Sequence, residues 1–204
     1  MAKNRKIAFV LNVIIIITEI MGFYDGISKY GLILLGFYTQ QSNLVLLISC
    51  ILYAVALLKA TDDKPVKKGI QTLHFIGISL VAVTFIVVIL LLIPMSGFDV
   101  KRMYSGSSFY HHLLCPVLAF ISYLIFEKED VPTKKDAFIA MLPTLFYAIV
   151  TTSLNVAKVI VGPYPFLHVY EQPVWMSVMF FITIPLGGYG IAVLLRWIKN
   201  KVNQ

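Results

Sequence analysis

The chain has 204 residues, of which 59% are hydrophobic and 13% are charged, and its formal net charge is +7. Soluble domains average about a quarter charged residues. The apolar residues here fall in long blocks, so the composition excludes an ordinary soluble domain and indicates a polytopic membrane protein. The basic residues lie mainly in short connections between these blocks, so the net charge does not indicate nucleic-acid binding.

Six apolar blocks follow one another along the chain, at residues 7–24, 40–58, 69–94, 109–126, 137–161 and 175–198. Each is about as long as a helix must be to cross roughly 30 Å of hydrocarbon. Only helices and closed barrels satisfy their backbone hydrogen bonds in lipid, and no block has the sustained two-residue alternation of a barrel strand. The sequence therefore predicts an all-α fold, with one domain of six transmembrane helices over residues 1–204.

Lysine and arginine are distributed unevenly between the two sides of this predicted bundle. If the blocks cross the membrane alternately, thirteen basic residues lie on the side of the two termini. The other side has four, namely Lys29, Lys101, Arg102 and Lys158. Because an excess of positive charge marks the cytoplasmic side of a membrane protein, we expect both termini to be cytoplasmic.

Unusual polar residues are concentrated in the half of the bundle that this topology places outside. Glu19 lies in the outer half of the first helix, residues 39–43 open the second helix, and His111 and His112 open the fourth. His74, near the inner start of the third helix, is the exception. Ionisable residues are costly to bury in a membrane and are candidates for function, so we expect a site near the outer face.

The residue types in this region fit nucleophilic catalysis. Thr39, Ser42 and Asn43 are spaced to share one helix face. A histidine beside Thr39, either His112 or His111, would supply the base that a weakly nucleophilic hydroxyl needs. Residues able to orient the imidazole or hold an oxyanion complete the predicted site: Glu19, Gln40, Ser42 and Asn43. The same polar residues also fit a structural interpretation, in which they meet headgroups and water or form interhelical hydrogen bonds.

The two cysteines, Cys50 and Cys115, both lie inside apolar blocks and have neither the spacing of metal ligands nor that of a disulfide framework. Cys115 shares a helix face with His111 and is therefore an alternative nucleophile. Nothing in the sequence has the pattern of a nucleotide-binding loop, a metal cluster or a cofactor motif. We expect no cofactor and no metal.

Three segments in order resemble the androgen-induced protein family and its bacterial six-helix relatives: residues 38–44 (Tyr-Thr-Gln-Gln-Ser-Asn-Leu), residues 112–118 (His-Leu-Leu-Cys-Pro-Val-Leu) and residues 164–167 (Tyr-Pro-Phe-Leu). The resemblance implies an intramembrane hydrolase with a threonine nucleophile, matched by Thr39, and a histidine partner, matched by His112, or by His111 one position earlier. Characterised eukaryotic members cleave esters that join one fatty acid to the hydroxyl of another. Gln40 to Asn43 follow the bacterial pattern, so the resemblance also implies a bacterial plasma membrane protein.

Two functions of different classes follow from these observations. The first is hydrolysis of an acyl ester in an amphipathic lipid that arrives through the bilayer. The second is proton-coupled transport, with Glu19, Lys158 and the histidines as a relay, although inverted repeats and broken midplane helices, the usual signs of a transporter, are not evident. A membrane subunit without chemistry is a third interpretation.

Overall fold

The fold is known from a computed structural model that describes residues 3–61 and 64–204. The described chain is all-helical and contains six helices that are long and apolar enough to cross a membrane. They are α1 (Lys3–Tyr30, continued by a 3-10 segment at Gly31–Gly36), α2 (Tyr38–Lys59), α3 (Lys68–Met95), α4 (Ser107–Phe126), α5 (Lys134–Val156) and α6 (Val174–Val202). The predictions of an all-α fold and of six apolar spans are confirmed.

Bulky apolar side chains cover the outside of the bundle. Leu90, Phe146 and Val174, on three different helices, are each more than half exposed, and many other valines, leucines and isoleucines on the outer faces are more than one-third exposed. A soluble monomer rarely carries such continuous apolar surface. The exposed faces of these helices therefore fit a hydrocarbon environment.

Several helix ends differ from the predicted ones because polar side chains extend or stop the helices. The first helix reaches Tyr30 rather than residue 24, and Asp25 and Lys29 form an ion pair of 2.6 Å one turn apart near its end. The fifth helix ends at Val156 rather than at residue 161. There the Asn155 amide donates to the Ile160 carbonyl, and Lys158, which was predicted inside the helix, lies beyond its end with a φ of 58°.

The third helix occupies the centre of the bundle, where it packs against α2, α4, α5 and α6. Gly77 permits the close approach of α2, because a Cβ at this position would lie 2.7 Å from the Ser49 hydroxyl and 3.1 Å from the Leu46 Cα. The main core joins apolar residues of several helices, among them Ile15, Leu46 and Ile78. Buried polar residues lie towards both ends of the bundle, among them Thr39 and Glu127.

In the described chain, three short π-helical turns interrupt the spans, at Val88–Leu92 in α3 and at Tyr110–Leu114 and Ser122–Phe126 in α4. A π-helical turn accommodates an extra residue and is frequent at functional sites. The second of these turns contains both His111 and His112. Local winding therefore decides where the two imidazoles point.

Candidate functional site

Thr39 lies in the first turn of α2 and is only 5% exposed. Its partner is the Tyr164 hydroxyl oxygen, which lies 3.1 Å from the Thr39 backbone nitrogen and 3.1 Å from Thr39 Oγ1. The first backbone N–H groups of a helix have no partner within the helix, so this phenol satisfies one of them. A residue 125 positions along the chain thus fixes the threonine.

Tyr164 is held by aromatic contacts in the connection between α5 and α6. Its ring stacks on Phe166 with centroids 5.2 Å apart and meets the edge of Phe37 at 5.7 Å. Pro165 opens a short 3-10 turn directly after it, so the backbone here is stiff. Burial raises the pKa of the Tyr164 phenol, against the effect of its hydrogen bonds with Thr39. The phenol is therefore neutral at physiological pH and keeps a hydrogen that it can donate.

Thr39 and Tyr164 line a narrow cavity of about 40 Å³. Most of its wall is apolar and comes from α3, α5, α6 and the turn after Tyr164. Its apolar lining residues include Val83, Val87, Leu92, Ala148, Phe181 and Ile184. Two further hydroxyl pairs lie beside it, Tyr38 with Thr144 at 2.7 Å and Ser42 with Thr84 at 2.8 Å. The cavity thus combines apolar walls with a few fixed hydroxyl groups.

His111 and Glu19 form a second, fully enclosed polar group between α4 and α1. Both side chains are 0% exposed, and His111 Nε2 lies 3.3 Å from Glu19 Oε2. Gly22 makes room for the imidazole, because a Cβ there would lie 2.4 Å from His111 Nε2, and the Phe23 ring packs against it with centroids 4.7 Å apart. Among the described residues, His111 Nδ1 and both Glu19 carboxylate oxygens lack a partner with hydrogen-bond geometry.

Asn43 connects the threonine and histidine regions through the backbone. Its amide nitrogen lies 2.7 Å from the Thr39 carbonyl oxygen and 3.2 Å from the His111 carbonyl oxygen. Ser42 donates to the same Thr39 carbonyl at 2.8 Å. The side-chain oxygen of Gln40 is buried and has no hydrogen-bond partner within residues 3–61 and 64–204. The Ser42 and Asn43 side chains hold the backbone of the first turn of α2.

His112 points away from His111 and is only partly buried. Its Nδ1 lies 2.9 Å from the Met103 carbonyl oxygen. A carbonyl can only accept, so Nδ1 carries the hydrogen, and in the neutral imidazole Nε2 is then left with a free lone pair. Imidazole in this tautomer can accept a proton at Nε2.

The predicted site residues therefore fall into two neighbouring groups. Thr39 faces the apolar cavity, whereas His111 faces Glu19 and His112 faces Met103. In the part of the chain that the structure describes, neither histidine forms a hydrogen bond with Thr39, and the hydroxyl that contacts Thr39 Oγ1 belongs to Tyr164. Cys115 is buried in the core with its sulfur 3.3 Å from the Thr18 hydroxyl.

Sequence reasoning missed a buried polar network at the opposite end of the bundle. Glu127 Oε1 accepts from Ser122 at 2.7 Å and from Asn12 at 3.2 Å, and it lies 3.2 Å from His74 Nε2. His74 Nδ1 lies 3.2 Å from the hydroxyl of Ser49. The ammonium of Lys199 donates to the backbone carbonyls of Tyr123 and Glu127.

The hydrogen bonds of this network assign a charge to its histidine. The Ser49 hydroxyl donates to the Leu46 carbonyl at 2.8 Å, so it accepts from His74 Nδ1–H. Because Glu127 Oε1 already accepts two hydrogen bonds, His74 Nε2 donates as well. His74 and Glu127 are thus a buried imidazolium–carboxylate pair. Asn12 and His74, two polar residues inside otherwise apolar blocks, were the signals in the sequence.

No group of three or more histidine, cysteine, aspartate or glutamate side chains suited to hold a metal ion occurs in residues 3–61 and 64–204. No protein-family model, curated protein or solved structure matches the chain.

Proposed function

We propose that the protein is an integral membrane hydrolase that cleaves an acyl ester of a membrane lipid, with Thr39 as the nucleophile. The observation that carries the proposal is the position of the Thr39 hydroxyl, which lies in the wall of a narrow apolar cavity inside the bundle. Ligand sites are typically apolar clefts with a few placed polar groups. An acyl chain in this cavity would present its ester to a buried hydroxyl. The resemblance to the androgen-induced protein family supports the same chemistry and a substrate similar to a fatty acid ester of a hydroxy fatty acid.

We assign the base to His112, since the Met103 carbonyl holds the tautomer with a free Nε2. Catalytic hydrogen bonds are often long or absent in ligand-free structures and form in the substrate complex. The π-helical turn at Tyr110–Leu114 is the segment where a change of winding would carry an imidazole towards Thr39. His111, oriented by Glu19, is the alternative base, and Cys115 is the alternative nucleophile.

The experiment that tests this function is covalent labelling of the protein in its membranes by a fluorophosphonate, which reacts with activated serine and threonine hydroxyls. The wild type should be labelled and Thr39→Ala should not, because the alanine variant lacks the attacking oxygen. Thr144→Ala is the matched control, since Thr144 is a buried threonine that lines the same cavity. Its labelling should equal that of the wild type.

Two other results would reject the hydrolase. Absence of labelling in a folded wild-type protein would show that Thr39 is not an activated nucleophile. Equal labelling of the wild type and Thr39→Ala, with loss in Cys115→Ala, would move the chemistry to the thiol.

We also propose that the site faces the outer leaflet of a bacterial plasma membrane, with both termini in the cytoplasm. The distribution of basic residues supports this orientation. Single cysteines introduced at Lys64 and Lys134 should react with a membrane-impermeant maleimide only after the cells are opened, whereas cysteines at Lys101 and Val161 should react in intact cells. Cys50 and Cys115 are both buried, so their background reaction should be low. Reaction at Lys64 in intact cells would reverse or break this topology.

Proton-coupled transport is a second candidate function, favoured by the enclosed Glu19–His111 pair. A carboxylate and an imidazole in hydrocarbon are typical of proton pathways. Proteoliposomes that contain a pH-sensitive dye distinguish the two functions. Proton uptake lost in Glu19→Gln but retained in Thr39→Ala would select transport.

A further inference from the structure

The contact between Tyr164 and Thr39 leaves the phenol hydrogen free to be donated to the threonine. The Thr39 backbone N–H donates to the phenol oxygen. The phenol's own hydrogen is then available for Thr39 Oγ1, which lies 3.1 Å away. In that arrangement Thr39 keeps its hydroxyl hydrogen for a base. Tyr164 thus acts as a donor at the oxygen that the proposed function identifies as the nucleophile.

The same place is suited to a developing negative charge. The Thr39 N–H belongs to the first turn of α2, where unpaired N–H groups and the helix dipole favour anions. An ester carbonyl carbon that bonds to Thr39 Oγ1 places the carbonyl oxygen beside Thr39. Donors must lie about one hydrogen-bond length from that oxygen to stabilise its negative charge. The donors present there are this N–H and the Tyr164 O–H, since the phenol oxygen lies 3.1 Å from both the Thr39 nitrogen and Thr39 Oγ1.

We propose that Tyr164 is a catalytic residue, whose O–H, together with the Thr39 N–H, forms the oxyanion hole for the ester carbonyl. The inference rests on the proposed function, because it requires attack by Thr39. As the Thr39 Oγ1–carbon bond forms, the carbonyl electron pair moves onto oxygen and the hydroxyl proton passes to the base. The phenol oxygen moves off the Thr39 N–H, and this N–H and the Tyr164 O–H then both donate to the oxyanion. Collapse re-forms the carbonyl and expels the alcohol, which takes the proton from the base. Water then cleaves the acyl-threonine by the same steps.

The catalytic role of the Tyr164 hydroxyl can be tested separately from the structural role of its ring. Tyr164→Phe keeps the ring that stacks on Phe166 and meets Phe37 and removes only the hydroxyl. Loss of one oxyanion donor lowers kcat by about 10²–10³-fold, and KM should change little. Tyr170→Phe is the matched control. Tyr170 lies in the same connection between α5 and α6, outside the cavity, and its hydroxyl donates to the Val156 carbonyl at 2.7 Å, so kcat should be unchanged.

Inhibitor binding distinguishes an oxyanion donor from a Tyr164 hydroxyl with a structural role only. A fatty acyl trifluoromethyl ketone forms a tetrahedral oxyanion adduct, whereas the product fatty acid does not. Tyr164→Phe should weaken binding of the ketone by the same factor by which it lowers kcat/KM. The affinity for the product fatty acid should be unchanged, because only the transition state uses the donor. Equal weakening of ketone and product would reject the oxyanion role and show a general disturbance of the cavity.

Fluorotyrosine at position 164 covers the case in which Tyr164→Phe does not fold, because it keeps both the ring and the hydroxyl. Its phenol ionises at lower pH, and an ionised phenol cannot donate, so kcat should fall at lower pH than in the wild type. An unchanged pH profile would overturn the inference. So would a Tyr164→Phe enzyme with wild-type kcat beside an inactive Thr39→Ala, an outcome in which the proposed function stands. An active Thr39→Ala would instead reject the proposed function itself.

Discussion

Thr39→Ala and His112→Ala should each reduce ester hydrolysis by about 10⁴–10⁶-fold, and the double variant should be little worse than either. When two residues act as one catalytic unit, removal of either one abolishes the same chemical step, so removal of the second adds little. Thr39→Ser should retain part of the activity, since it keeps the hydroxyl and loses the methyl group that restricts the side-chain rotamer. The measurement is the steady-state hydrolysis of a fatty acid ester of a hydroxy fatty acid by the purified protein in detergent.

The same series decides between the two histidines and the thiol. Cys115→Ala serves as the control, because its buried thiol packs in the core, and hydrolysis should change little. If His111→Ala is non-additive with Thr39→Ala while the loss caused by His112→Ala adds to it, the base is His111. If Thr39→Ala, His112→Ala and Cys115→Ala all hydrolyse the ester at the wild-type rate, the polar residues have a structural role only.

Glu127→Ala should destabilise the fold by about 3–5 kcal/mol, the usual cost of leaving one member of a buried ion pair without its partner. His74 would lose its carboxylate partner, and Ser122 and Asn12 would lose their acceptor. Unfolding by SDS in mixed micelles measures the change. Glu171→Ala is the matched control, since Glu171 pairs with His168 at 2.9 Å but its side chain is 68% exposed. Exposed pairs contribute about 0–1 kcal/mol, so this variant should unfold like the wild type.

The Glu127 pair also gives the fold a pH dependence. Burial alone would raise the pKa of the Glu127 carboxyl, but the charge of His74, hydrogen bonds from His74 and Ser122 and the charge of Lys199 outweigh it and hold the pKa below its ordinary value. A carboxyl with a lowered pKa contributes stability that is present above its ordinary pKa and is lost as the pH falls through the lowered one. Acidification should therefore reduce the unfolding free energy of the wild type more than that of Glu127→Ala. Parallel curves for the two proteins would contradict this linkage.

The spans were predictable because the bilayer imposes a minimum apolar length, and each block in the sequence meets it. The ends of the spans were less predictable, because contacts of individual polar side chains decide where each helix ends. Asp25 and Lys29 extend α1 through a local ion pair, whereas Asn155 stops α5 by bonding both the Ile160 carbonyl and the Val169 N–H. The spacing of apolar residues along the sequence contains no information about these contacts.

The proximity of the polar residues around Thr39 and His111 was predictable from the sequence, and their pairing was not. Helix spacing placed residues 39–43 and His111 near one end of the bundle, and Asn43 indeed bonds to the carbonyls of both Thr39 and His111. The sequence offered no means of choosing Tyr164 as the partner of Thr39, because a proline-flanked turn sets the direction of that ring. Lys199 was counted among the basic residues of the cytoplasmic side, yet its side chain is fully buried against backbone carbonyls.

The distance along the chain between Thr39 and Tyr164 has a consequence for biosynthesis. Tyr164 follows Thr39 by 125 positions, which take roughly 6–25 s to synthesise at typical translation rates. For most of that interval α2 is already made, while the phenol that holds its first turn does not yet exist. The cavity wall contributed by α6 is made later still. The nascent chain thus carries an unassembled threonine through most of its translation, and the pocket closes around it only when the last hairpin docks.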